Sequence, residues 1–221
     1  PPALKGSVGL IGRYRFDGEG PVVSSEVVLD NAALGDDSLV LDRQELTLGP
    51  EGISLNLALR NVDSAEPISL RGTIPYRTDD DLNLTLESHG DALTFLSQLA
   101  GDVVDVKKGT TDLRLILRGS VSAPQANGFL VVRNGDILLS GQRLHRINAA
   151  MVFDFNRLEV QTLTAEMGEG GTLRGMGAIG LFEARSEDKP LTLDLSKNRI
   201  RQSIVDVMAE GKVVLQGSLL K

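Results

Sequence analysis

Cysteine and tryptophan are both absent from this 221-residue chain, and aromatic residues of all kinds make up only 4% of it. Without thiols there is no disulfide, no thiolate nucleophile and no cysteine-bound zinc. Such a chain tolerates an oxidising compartment as readily as a reducing one. The shortage of Trp, Tyr and Phe removes the bulky residues that dominate compact cores and interfaces. Histidine is nearly missing too: His89 stands beside Gly90 in a loop pattern, and His145 follows the break at Gly141. Neither has a nucleophile context such as G-x-S-x-G, so both read as ordinary surface histidines, and no enzyme activity is expected. No apolar run approaches the about 18 residues that would span a bilayer as a helix. A formal net charge of -7 argues against a nucleic-acid partner and weakens attachment to anionic lipid surfaces. The chain opens Pro1-Pro2-Ala3 with no Met-initiated signal and stops at Lys221 inside a repeated phrase, so it reads as a fragment of a longer protein.

What is abundant is aliphatic, in a phrase that recurs: Leu4-Lys5-Gly6-Ser7-Val8, Leu70-Arg71-Gly72-Thr73-Ile74, Leu117-Arg118-Gly119-Ser120-Val121 and Leu215-Gln216-Gly217-Ser218-Leu219. A partial copy is Leu173-Arg174-Gly175-Met176. At the two-residue period of a strand, the Leu, the Gly and the last aliphatic share one face, and the polar residues share the other. A glycine in an apolar-facing slot marks a bend, a bulge or a close approach. The phrase glycines are 66, 47 and 98 residues apart, which fits an extended array with insertions rather than a strict repeat.

Alternation continues along the chain. Residues 4 to 16 read as a strand with a break near Gly12, and Gly18 to Pro21 as a turn. Short strands follow at Val27-Leu29, Leu39-Leu41 and Leu46-Leu48, broken by Asn31, Gly35-Asp37 and Asp42. Gly49-Pro50-Glu51-Gly52 is a hairpin turn, after which Ile53, Leu55 and Leu57 alternate with polar residues. Leu82, Leu84 and Leu86 do the same, as do Leu113, Leu115 and Leu117. Residues 91 to 101 switch to helical spacing, with Asp91 and Gly101 as caps and Ala92, Phe95, Leu96 and Leu99 inward. The strand Phe129 to Arg133 leads to Asn134-Gly135, a hairpin signal, and Ile137 and Leu139 form the return strand. Ile147, Ala149, Met151, Phe153 and Phe155 are five consecutive inward positions before a turn at Asn156. Leu191, Leu193 and Leu195 alternate cleanly; residues 199 to 209 are ambiguous, with Ile200, Ile204, Val207 and Met208 at helical spacing and Ile200, Ile204 and Asp206 making no clean strand. Fifteen or more short strands and one or two short helices are the expected tally. No helix alternates with strands, which excludes a parallel α/β sheet, and no linker divides the chain, so residues 1 to 221 read as one continuous domain, with 1 to 66 the least securely part of it.

Two patterns carry a chemical reading that the context removes. Gly175-Met176-Gly177-Ala178-Ile179-Gly180 spells a dinucleotide fingerprint, but Leu181 to Pro190 is short, charged and proline-ended, so the helix that would hold the pyrophosphate is missing. Asp79-Asp80-Asp81 lacks the glycine of a calcium loop and reads as a solvated turn. Neither a cofactor nor a metal is expected.

The apolar face itself remains. A one-faced sheet must bury that face against a second layer, and this composition offers little to build one. The expected architecture is an all-β, elongated, curled sheet, antiparallel or mixed, enclosing a greasy trough that inward glycines keep open. The trough would be lined by Ile53, Leu55, Leu57, Leu82, Leu84, Leu86, Phe95, Leu96, Leu113, Leu115, Leu117, Phe129 and Val131. Ile137, Leu139, Ile147, Met151, Phe153, Phe155, Leu193 and Leu215 complete the set. The alternative on composition alone is a closed core.

Gly119, Pro124, Gly128, Phe129-Leu130-Val131-Val132, Asn134-Gly135 and Ile137 resemble the C-terminal region of the TamB family, the inner-membrane subunit of the translocation and assembly module and a member of the AsmA-like superfamily. The likeness covers about residues 82 to 180 and, less closely, 191 to 221. The resemblance implies a "β-taco" trough in a long periplasmic protein, held at the inner membrane by a segment outside this fragment, or its plastid intermembrane-space equivalent. It implies a BamA- or TamA-like outer-membrane β-barrel partner and a role in moving phospholipid between membranes. The ligand would be a phospholipid or another acyl-chain molecule. The rival implication is a scaffold that adds strands to its edges during outer-membrane protein assembly or protein translocation.

Overall fold

Among the described residues, thirteen strands pair antiparallel, each with the next in sequence, to make one sheet that does not close. The computed structural model describes all residues except 1–3, 17, 19–20, 35–36, 92–103, 140–141, 168–169, 203–204 and 221. The strands are β1 (Leu4–Phe16), β2 (Pro21–Leu34), β3 (Asp37–Leu48), β4 (Gly52–Asn61), β5 (Ile68–Pro75), β6 (Asp81–Gly90) and β7 (Val104–Ser120). They continue with β8 (Ala123–Leu139), β9 (Gln142–Phe155), β10 (Arg157–Met167), β11 (Gly171–Gly180), β12 (Leu191–Gln202) and β13 (Val205–Leu215). The all-β class and the open antiparallel architecture are as the alternation predicts. The segment expected to be helical, with Phe95 and Leu96, lies outside the described residues.

Strands are fewer and longer than the sequence implies, because several apparent breaks are bulges inside one strand. Asp42 sits at a register shift between Leu41 and Arg43, and β3 runs through it. In β1 the irregularity falls between Lys5 and Ser7 rather than at Gly12. Asn134-Gly135 is the clearest correction: it makes no hairpin but a bulge within β8, with Asn134 at φ 51°. Asn tolerates the left-handed region, and that freedom serves a bulge as well as a turn. Of residues 199 to 209, those described are strand and not helix: 199–202 end β12 and 205–209 open β13, with Ile200 opposite Val207.

All four phrase glycines have positive φ, at 109° for Gly6, 135° for Gly72, 83° for Gly119 and 114° for Gly217. A Cβ on Gly72 would lie 1.9 Å from the Asn83 carbonyl oxygen, and one on Gly128, at φ 146°, 1.9 Å from that of Arg114. At Gly72 and Gly128 the missing side chains would therefore strike the neighbouring strand's backbone instead of entering the trough; at Gly119 a Cβ would lie 2.9 Å from the Ala123 carbonyl oxygen, and at Gly217 it would meet nothing. Gly72, Gly119 and Gly128 thus permit close backbone approach rather than holding the trough open, which corrects the sequence expectation at those positions.

Replacing Gly128 or Gly72 by alanine is expected to cost about 2 kcal/mol or more, from left-handed strain plus backbone collision. Gly9→Ala, whose new Cβ would meet Val28 at an ordinary 3.8 Å, should stay within about 0.5 kcal/mol of the parent. Urea unfolding of the three variants checks this, and equal losses at Gly9 and Gly128 would contradict it.

Candidate functional site

Register decides which residues share a face. One row reads Leu57, Leu70, Leu86, Leu115, Gly128, Phe153, Leu158 and Ile179, crossing β4 to β11 without a polar residue. The row beside it reads Leu46, Leu55, Gly72, Leu84, Leu117 and Ala126. On the opposite face Ala58, Ser69, Glu87, Arg114, Phe129, Val152 and Glu159 are neighbours. That face carries cross-strand pairs, Arg71 to Glu87 at 3.0 Å and His89 to Asp112 at 2.9 Å. His89 is thus a strand residue of β6, paired across to β7, and not part of a loop.

The structure brings most of the expected lining together on one face: Ile53, Leu55, Leu57, Leu82, Leu84, Leu86, Leu113, Leu115, Leu117, Ile137, Ile147, Met151, Phe153 and Leu193. Phe129 and Val131 are exceptions. Both lie on the polar face, opposite Arg114 and Asp112, and Phe129 is 37% exposed. Reading four apolar residues in a row as one strand left the parity of β8 undetermined, and register with β7 assigns the inward positions to Leu130 and Val132 instead. Phe155 ends β9 at φ 55° and is 53% exposed, so it rims the face rather than lining it. Leu215 is also an exposed rim residue of β13, and the Leu139 side chain lies outside those described.

The apolar face is not uniformly covered. In the C-terminal half Ala126, Leu158, Val160, Ile179, Leu181 and Leu191 form a buried cluster against which Leu115, Leu117, Met151 and Phe153 pack. A second cluster joins Leu144, Ile147, Ala165 and Met167, with Val132, Ile137, Leu173 and Leu195 beside it. Strands β10 and β12, which are not neighbours in the sheet, touch one another. Here the sheet curls and fills itself with its own side chains. In the N-terminal half, Ile53, Leu55, Leu57, Leu84 and Leu86 stay half-buried, and Leu10, Tyr14 and Phe16 of β1 are largely exposed. Sequence reasoning missed Leu158, Val160 and Ile179 as lining, although their alternation in β10 and β11 was present to be used.

Between β7, β8 and β9 lies an apolar cavity of about 220 Å³, lined by Val106, Leu130, Val132, Ile137 and Ile147 with Gly109 and Gly135. That is below the roughly 300–1,000 Å³ of a pocket enclosing a whole small molecule, so it fits a segment of hydrocarbon. Nearby, Asp136 is only 2% exposed and is gripped by the Arg143 fork, Nε donating to Oδ1 at 3.0 Å and Nη2 to Oδ2 at 2.6 Å. The Arg143 hydrogen bonds hold the Asp136 carboxyl below its ordinary value of 3.8, against burial, which pushes it up. Among the described residues no cluster of His, Asp and Glu could hold a metal, and no helix is long and apolar enough to cross a membrane. Compared with family models, with curated proteins and with solved structures, the chain finds no match.

A depressed carboxylate contributes stability above its unfolded pKa and loses it as the pH falls through the folded one. The Asp136–Arg143 contribution should therefore be whole at pH 7 and fade as the pH drops below 3.8. Asp136→Asn should lower the urea midpoint at pH 7 and blunt the loss on acidification. A variant as stable as its parent at pH 7 would show the pair to be dispensable.

Proposed function

We propose that this chain is a segment of a bridge-like lipid-transfer protein, whose apolar face shields acyl chains while phospholipid passes between two membranes. The observation that carries this reading is the unbroken apolar row across β4 to β11 of an open sheet, half-exposed over β4 to β6. Each buried methylene of an acyl chain is worth about 0.8 kcal/mol, so such a face offsets most of the cost of carrying a tail through water. Rows of Leu and Ile without a polar anchor favour sliding over tight capture. The exposed Arg114, Arg118 and Arg133 keep the other face hydrated. The resemblance of Gly119 to Ile137 to the TamB family supports a periplasmic setting, or a plastid intermembrane space. It also supports anchorage at the inner membrane through a segment beyond these residues, and a BamA- or TamA-like barrel as partner.

The test uses the half-open strands. Leu55→Arg and Leu84→Arg should abolish cross-linking to a photoreactive phosphatidylcholine and stop its transfer between vesicles, with the urea midpoint little changed. Leu115 and Phe153 are unsuited, because both pack against the buried cluster and a charge there would unfold it. Undiminished lipid labelling of the arginine variants would reject the proposal.

A second reading, a scaffold that adds strands at its edge, draws on β1. Its described side chains are all exposed, with Leu10 and Tyr14 on one face and Ile11 on the other. On that reading Ile11→Pro should abolish capture of an unfolded barrel strand, and the groove arginines should leave it intact. The opposite pattern would eliminate the scaffold.

A further inference from the structure

The loop between β11 and β12, residues 181–190, is not a plain hairpin, and one turn residue holds its start. Asn156, between β9 and β10, accepts from the Leu181 N–H with its carbonyl oxygen at 3.0 Å. Its side-chain Oδ1 accepts from the N–H groups of Phe182 at 2.7 Å and Glu183 at 3.0 Å, and its Nδ2 donates to the Glu183 carbonyl at 3.2 Å. Farther along, Arg157 donates to Glu187 at 3.1 Å. Held in this way, the loop brings Leu181 into the buried cluster and packs Phe182 against it. The row that is half-exposed at Leu57 and Leu86 thus becomes buried at Leu158 and Ile179 where this loop joins it. Beside the loop a crevice of about 380 Å³ is bordered by Pro124, Phe155, Phe182 and Leu220.

We propose that residues 181–190 are a displaceable strap: clamped by Asn156, they fill the C-terminal end of the apolar face with Leu181 and Phe182, and an acyl chain extends along that end only when the strap lifts. This rests on the reading of the face as an acyl-chain path. Three of these four hydrogen bonds run through the Asn156 side chain, so the start of the strap can be loosened there without touching the apolar cluster. Leu220 N–H to the Leu181 carbonyl at 3.0 Å, Ala178 N–H to the Lys189 carbonyl at 2.9 Å and the Arg185–Gly217 bridge tie it elsewhere.

The test exploits the absence of cysteine. Ala126, 1% exposed in the cluster, is replaced by cysteine as the sole thiol, and its alkylation rate is followed. Adding N156A should raise that rate about tenfold, the factor that one or two lost net hydrogen bonds produce. A149C, on the same face but outside the cluster with Leu181, should stay slow in the N156A background. Should N156A loosen Ala149 as well, E187Q, which weakens the ties of Glu187 to Arg157 and Arg185 and leaves Asn156 in place, carries the same comparison. Uptake of pyrene-labelled phosphatidylcholine from vesicles should then be greater in N156A than in the parent. Unchanged labelling of A126C overturns the strap. Faster labelling with equal uptake also overturns it and leaves the acyl-path reading standing. No uptake by either protein overturns both.

Discussion

Everything in this molecule depends on one constraint: burying an apolar sheet face is favourable, and the described residues supply almost no second layer to cover it. Among the described residues, a meander of thirteen antiparallel strands puts the leucine rows of β4 to β11 on one side and polar cross-strand pairs such as Arg71–Glu87 and His89–Asp112 on the other. Curling is the remaining way to reduce exposure. The curl succeeds over β7 to β12, where side chains interlock, and is incomplete over β1 to β6.

This gradient bears on the proposed acyl-chain path. A face buried at Leu158 and Ile179 yet half-open at Leu55 and Leu84 is neither a conventional core nor a continuous open gutter. The open part has the chemistry of a hydrocarbon-binding surface, and the covered part owes its closure in part to Leu181 and Phe182 from an irregular loop. The cavity near Val132 and Ile147 is an intermediate case, apolar but only large enough for part of a chain.

Much of the design was legible in the residues. Clean alternation at Leu55-Leu57, Leu84-Leu86 and Leu113-Leu117 places those side chains on one face because the period of two allows no other arrangement. The Gly49-Gly52 turn was equally legible, and Gly49 N–H donates to the Gly52 carbonyl at 3.0 Å. Two kinds of signal misled. Left-handed-tolerant residues such as Asn134 mark bulges and turns alike, and only pairing on both sides of β8 distinguishes them. The run Phe129-Leu130-Val131-Val132 has no internal parity, so its inward members depended on which residues of β7 it met.

By itself, then, the sequence determined the all-β class, the sidedness of the sheet and the absence of thiol chemistry, since these follow from local period and composition. Tertiary structure alone decided how far the sheet curls, which half of the apolar face is covered, and that Asn156 clamps the covering loop. Those features arise between residues far apart in the chain, 26 positions in the case of Asn156 and Phe182, where no local pattern carries information about proximity. The phrase glycines belong to both levels: their recurrence was visible in the sequence, but that a neighbouring backbone presses close at Gly72 and Gly119 required the strand beside them.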